Sequence, residues 1–276
     1  MDKLAYRLFD REGKSTDYEQ MIKDLRQADI ILFGELHNNP ISHWLQIEVT
    51  KDVFATQKQN LILGAEMFEA DNQLILDEYL AKLITEKHLK DEAKVWDNYD
   101  TDYKPLVDFA LKNQLSFVAT NVPRRYASLV SKKGLGELEK LSKEAKQWIA
   151  PLPITVDLTL NCYAEMMKMM TNGHNSGGMG GMNPENFANA QALKDATMAH
   201  FILKNWQKGK ALLHFNGAYH SDRFESIVWY LKRQKPDLKI VTISSVEQKD
   251  IDKLEDKNKG LANYIITTPD NMTKTY

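Results

Sequence analysis

The chain has 276 residues, of which 43% are hydrophobic and 27% charged, and its formal net charge is −2. That length suits one large domain with a full core, and the near-balanced charge argues against a nucleic-acid-binding protein. The one cysteine, Cys162, excludes an intramolecular disulfide and any cysteine-rich zinc or iron–sulfur site.

Taken in chain order, the opening MDKLAYRLFD runs a charged pair into a strand-like segment and does not read as a signal peptide. STDYEQMIKDLRQA offers Ser15, Thr16 and Asp17 as helix caps and sets Ile22 and Leu25 on one face. Apolar runs of strand length then recur at 29–35 (DIILFGE), 60–68 (NLILGAEMF), 115–121 (LSFVATN), 211–217 (ALLHFNG), 239–244 (KIVTIS) and 263–268 (NYIITT). They are continuous rather than alternating, as in strands buried on both faces. Helical segments lie between them, including PISHWLQIEVTKDVFATQ, TDYKPLVDFALKNQ, SLVSKKGLGELEKLSKEAKQWI and RFESIVWYLKRQKP. The rhythm predicts an α/β fold with a mostly parallel central sheet flanked by helices, formed by the whole chain as a single domain. Residues 153–208 break the rhythm and predict a helical insertion or cap around a glycine-rich centre, NGHNSGGMGGMNPEN. Seven of the eleven methionines fall between Met166 and Met198. No run reaches the roughly 18 apolar residues of a membrane span.

Polar residues gather where the strands end. The first run ends in Glu35 and His37, the second in Glu66, the third in Asn121 before Arg124 and Arg125, and the fourth in Asn216, Gly217 and His220. In open parallel sheets ligands bind outside the carboxyl ends of the strands, so these groups predict a site there. Each alone has a plainer reading as a hydrogen-bonded strand end or a solvated pair. Together, His37, Glu66 and His220 make a set suited to Zn, Mn or Co, with Glu35 as a base for metal-bound water. Without metal, Glu35, His37, Glu66 and His220 suit general acid–base chemistry. They could equally form a structural network holding strand ends together. Neither a GxSxG nucleophile nor a phosphate loop competes, since GGMGGM lacks the required lysine.

The insertion suggests a second chemistry. CYAEMMKMMTNGH places Tyr163, Met166, Met167 and Met170 on neighbouring helical positions, with His174 beyond them. Methionines supply polarizable walls for a flat ligand, and tyrosine or histidine can ligate haem iron. Arg124, Arg125 and Lys168 could pair with haem propionates. A methionine stripe at this spacing is as readily core. Gln191, Asp195 and Met198 share one face of the next helix, which could close over the strand-end site.

Two pieces, GELH (Gly34–His37) and GAYH (Gly217–His220), repeat Gly-x-x-His after a strand, with Glu66 between them. With GELHNNPISHWLQIEV, LILGAEMFEADNQLILDEYL, FVATNVPRRYASLV and NPENFANAQALKDATMAHFIL, the chain resembles the ChaN-like haem-binding uptake family of the Tiki, TraB and erythromycin-esterase-like superfamily, from about residue 29 to 235. The resemblance implies a haem-binding protein of bacterial iron uptake, on the periplasmic face or lipid-anchored in the cell envelope. It further implies a homodimer that holds haem through a tyrosine and works with an outer-membrane haem receptor. Tyr163, Tyr126 and Tyr219 are the candidate tyrosines. No lipobox cysteine of a lipoprotein stands near the start. The alternative implied by the Tiki branch is a metal-dependent hydrolase, a peptidase or esterase, using His37, Glu66 and His220 with Glu35 adjacent.

Overall fold

The computed structural model describes residues 3–172 and 183–276. In chain order its elements are β1 (Arg7–Asp10), α1 (Tyr18–Leu25), β2 (Ile30–Glu35), α2 (Pro40–Gln57), β3 (Leu61–Glu69), α3 (Gln73–Leu80), α4 (Glu86–Glu92), α5 (Lys104–Asn113), β4 (Phe117–Asn121), α6 (Arg124–Lys133), α7 (Lys143–Lys146), α8 (Asn161–Asn172), α9 (Pro184–Asn205), β5 (Ala211–Gly217), α10 (Ile227–Gln234), β6 (Ile240–Gln248) and β7 (Tyr264–Pro269). The seven strands form one sheet in the order β1-β7-β6-β2-β5-β3-β4. All pairs are parallel except β1 with β7. The expected mostly parallel sheet flanked by helices is the fold observed.

The continuous apolar runs are explained by burial on both faces. In β2, Ile31 and Phe33 join a core shared with α1, α2, α3 and α5, while Ile30 and Leu32 face a second core built from α9 and α10. The period of two along a strand sends alternate side chains to opposite layers, so the run from Ile30 to Phe33 is apolar at every position. The connection from β2 leads to β3 on one side of it, whereas β5 hands on to β6 on the other. This reversal opens a crevice at the carboxyl ends of β2 and β5.

Local signals place the ends. Asn39 accepts from the backbone N–H groups of Ile41 and Ser42 at the start of α2, with Pro40 in the first turn. The Asn39 amide also donates to Thr268 of β7 and Glu247 of β6, tying the turn after β2 to those two strands. The predicted helix from Ser128 into Ile149 is broken. α6 stops at Gly134, whose φ of 86° a residue with a Cβ adopts only at a cost, and the chain continues as a 3₁₀ turn and the short α7. Within 153–208, α9 packs against β4, α6 and α10 and buries twelve side chains, so it forms part of one helical layer. Among the described residues no helix is long and apolar enough to cross a membrane.

Candidate functional site at the carboxyl edge of the sheet

Glu35 ends β2 on the α2 side of the sheet and is buried. Its carboxylate accepts from the Tyr103 hydroxyl at 2.7 Å, from the Gln46 amide, and from His37 Nδ1 at 2.7 Å. A buried carboxylate is tolerable only with such a full set of donors. Behind it, His43 reaches the His37 carbonyl at 3.0 Å, and Asn98 donates to that carbonyl and to Asp102. Asp102 and Tyr103 come from a π-helical turn, Tyr99–Tyr103, an irregularity that often marks functional sites. With Nδ1 held by Glu35, His37 presents Nε2 to the crevice, and its ring meets Trp96 edge-on at 5.0 Å. Burial disfavours the His37 cation, yet the Glu35 bond and the Glu66 charge outweigh it and raise its pKa above the ordinary value.

Glu66 reaches the same edge from the opposite face. Pairing of β3 with β4 runs from Ala65 opposite Ala119 to Glu69 opposite Asn121, so β3 carries extra residues there. The bulge re-aims the strand end. Glu66 accepts the Gly217 N–H at 2.8 Å and lies 3.3 Å from His220 Nε2. His220 Nδ1 is 2.5 Å from Asp195 of α9, whose other oxygen accepts the Tyr163 hydroxyl at 2.7 Å. Burial opposes both charges, but the His220 cation holds Glu66 far below the carboxylate range, and Glu66 and Asp195 push His220 well above the histidine range. The two motif glycines leave the room this needs. A Cβ on Gly217 would lie 2.8 Å from His37 Nε2, and one on Gly34 would lie 2.8 Å from the Ala218 Cα.

Three hollows border this cluster. A cleft of about 650 Å³ is lined by Glu35, His37, Gly217, Tyr219, His220, Asp222 and Tyr276, among others. A groove of about 280 Å³ runs from Tyr219 and His220 to Met166 and Met169 of α8 and Gln191 of α9. A third, of about 400 Å³, lies between Lys94, Trp96, Asn98, Arg124 and Tyr276. Tyr219 therefore stands on the rim between the first two, and Tyr276 between the first and third.

A model of the family described as haem-binding uptake, Tiki superfamily, ChaN matches residues 21–231. The chain belongs to this ChaN family. Among solved structures, a ChaN of Campylobacter jejuni, described by its cofacial heme binding, superposes with a TM-score of 0.70 at 19% identity, over 95% of this chain and 96% of that one. A Bacillus cereus protein superposes with a TM-score of 0.52 at 10% identity, over 91% of this chain and 90% of that one. At these identities the likeness is one of fold. No curated protein matches the chain.

Within the ChaN fold the expected site residues fall into two groups. Glu35, His37, Glu66 and His220 converge. Among the described residues, however, no group of three or more His, Cys, Asp or Glu side chains is disposed to hold a metal ion. The reason is visible in the pairing, since both nitrogens of His220 and both oxygens of Glu66 already have partners. Of the residues expected to bind a cofactor, Tyr163 is only 1% exposed and committed to Asp195. Met166 lines the groove, whereas Met170 lies half-buried outside its lining. Arg125 pairs with Asp71 at 2.6 Å and stacks on Tyr126, while Arg124 lines the third hollow. His174 lies outside the described residues. The sequence reading missed Gln46, His43, Asp102 and Tyr103. A signal existed for two of them, because His43 and Gln46 follow His37 three residues apart on the first turns of α2, the spacing of one helix face.

Proposed function

We propose that the protein binds haem in bacterial haem and iron uptake, at the carboxyl edge of the sheet, with Tyr219 as the iron ligand. Family membership supports the ligand, and one observation supports the residue. Tyr219 is 40% exposed on the rim shared by two hollows, whereas Tyr163 and Tyr126 are buried. Beside Tyr219, the groove offers the thioethers of Met166 and the exposed Met169, polarizable walls for a porphyrin edge. The donor set thus fits haem. Bound haem supplies a ferric centre that takes a phenolate oxygen. Burial pushes the Tyr219 phenol up to about 12, and its hydroxyl donates to the Cys162 carbonyl at 3.0 Å. That hydrogen bond would hold the phenol oxygen in place, and Tyr219 would be the residue that holds the iron. In this reading the protein works in the cell envelope as a homodimer that receives haem from an outer-membrane receptor, and the uptake role of its family is what supports that.

The test is a ferric-haem titration followed at the Soret band. A saturable shift near one haem per chain, weakened about tenfold or more by Tyr219→Phe and little changed by Tyr163→Phe, is the expected result. An unsaturable shift overturns haem binding, and an unchanged Tyr219→Phe variant overturns the ligand.

A second reading rests on His37. Its Nδ1 is oriented by Glu35 and its Nε2 faces the cleft, the arrangement of a general base held by a carboxylate. Hydrolysis of a peptide or small ester by metal-free acid–base chemistry uses the pairings as they stand. A metal-assisted version with Zn, Mn or Co needs Glu66 and His220 to exchange partners. Hydrolase assays with and without added metal, on the parent and on His37→Ala, separate the two versions.

A further inference from the structure

Glu35, Glu66 and Asp195 are buried at this edge of the sheet with a donor on each oxygen. Glu35 has His37, Tyr103 and Gln46, Glu66 has Gly217 and His220, and Asp195 has His220 and Tyr163. Asp222 differs from all three. It lines the cleft of about 650 Å³, and its Oδ1 is buried with no hydrogen-bond partner. The Ser244 hydroxyl is close enough to favour the charged form, yet Oδ1 still lacks a donor. A fold keeps such an acceptor only at a cost in free energy.

The chain's own donors at this end of the cleft are committed elsewhere. The Asn258 amide donates to Gln248, the Ser245 hydroxyl pairs with that of Ser42, and Glu247 takes both the Asn39 amide and the Lys274 ammonium. Arg223 follows Asp222 but is exposed, and its backbone N–H is bound to the Leu261 carbonyl at 2.7 Å. The turn that carries Asp222 is pinned in a costly shape, with Arg223, Phe224 and Ser226 at φ of 59°, 60° and 51°. Arg11 stacks on the Phe224 ring at 4.5 Å, and the Glu225 carboxylate accepts the Asn161 and Cys162 N–H groups at the start of α8. The backbone of Asp222 is therefore fixed at the cleft wall. Its side chain is part-exposed and its terminal torsion is soft, so the carboxylate can turn an oxygen toward the cleft.

We infer that Asp222 is the recognition group of a subsite for a primary alkyl amine, at the end of the cleft lined by Val246, Asn258 and Leu261. The ammonium supplies the donor that the fold withholds from this carboxylate, in a charge-assisted hydrogen bond. Val246 and Leu261 give the alkyl chain an apolar wall. One open oxygen suits a compact ammonium better than a guanidinium, whose fork is matched by two. The amino terminus of a peptide and a lysine side chain belong to this class of ligand. The subsite rests neither on haem nor on catalysis by His37, although His37 lines the same cleft.

Hexylamine and hexanol, equal in length, test it by calorimetric titration of the whole chain at matched ionic strength. At about pH 8 the amine is protonated, as a lysine side chain is. It is expected to bind saturably and about tenfold or more tighter than the alcohol, the worth of a hydrogen bond to a charged group. That comparison is made on the parent and needs no variant. Asp222→Asn keeps the shape and removes the charge, so it should bind amine and alcohol alike, with the parent's circular dichroism retained. Added salt should weaken the amine more than the alcohol. No saturable amine binding, or equal affinity for the two, overturns the subsite. A preference for the amine that survives Asp222→Asn but is lost in Glu247→Gln also overturns it, and would assign the cation to Glu247 after displacement of Lys274.

Discussion

His220 stands between two carboxylates, with Nδ1 2.5 Å from Asp195 and Nε2 3.3 Å from Glu66. One buried cation thus joins a helix of one layer to the bulged end of β3. Removing either partner strands the remaining charges away from water, which typically costs about 3–5 kcal/mol. Asp195→Ala is expected to lower unfolding stability by roughly 3 kcal/mol, and it also leaves the Tyr163 hydroxyl without its acceptor. Asp195→Asn keeps an acceptor for Tyr163 and should cost less. Urea unfolding of the two variants checks the order.

The same pair sets a pH window. His220 is raised above its ordinary 6.5, so its stabilisation is complete below 6.5 and is lost as pH rises through the higher folded value. Glu66 is depressed below its ordinary 4.5, so its stabilisation is present above 4.5 and is lost as pH falls toward the lower folded value. Thermal midpoints should be highest between about 4.5 and 6.5 as far as this pair is concerned, falling on both sides. Glu66→Gln should lower the maximum and flatten the acid limb, and an unaltered acid limb would show that Glu66 is not the group responsible.

The two Gly-x-x-His glycines are expected to fail differently when given a methyl group. At Gly34 the added Cβ would lie 2.8 Å from the Ala218 Cα and 2.9 Å from the Ile243 carbonyl oxygen, both backbone. Backbone in a seven-stranded sheet cannot step aside, so Gly34→Ala should destabilise by about 2–3 kcal/mol through overpacking. At Gly217 the nearest atoms are His37 Nε2 and Cε1, at the far end of a side chain that opens to the cleft. Gly217→Ala should therefore cost less stability but turn the His37 ring, which the chemical shift of its ring protons would report.

Much of this was legible in the sequence, for physical reasons. The strands could be read because burial on both faces leaves an unbroken apolar run, as in Ile30 to Phe33. The meeting of Glu35, His37, Glu66 and His220 could be read because parallel strands deliver their carboxyl ends to one edge. Who pairs with whom could not. That depends on the extra residues of β3 between Ala65 and Glu69 and on α9 crossing that edge to bring Asp195 under His220. The methionine stripe failed for a related reason. Helical spacing groups Tyr163 with Met166 but is silent on which edge of the stripe meets α9. Tyr163 takes the buried edge and Met169 the open one. Tyr276 is separated from the cleft residues by long stretches of chain, and only the path of the segment after β7 brings it there.

Asp222 offers the last test, because it sits on the large cleft with a carboxylate oxygen that has no hydrogen-bond partner. Burial pushes its pKa from 3.8 up to about 7, with the Arg223 charge pulling the other way. The protonated acid is the form the fold favours. Its relative contribution is intact below 3.8 and is lost as pH rises through about 7, where a charge must be held with one oxygen unsatisfied. Asp222→Asn keeps the shape and cannot ionise. It should match the parent near pH 4 and exceed it by about 1–3 kcal/mol above pH 8, the typical cost of a buried unsatisfied group. Unfolding curves at the two pH values decide it. A variant no more stable than the parent at pH 8 would mean that the ionised side chain is hydrated at the cleft, and that Asp222 belongs to the ligand-facing surface as an ordinary carboxylate.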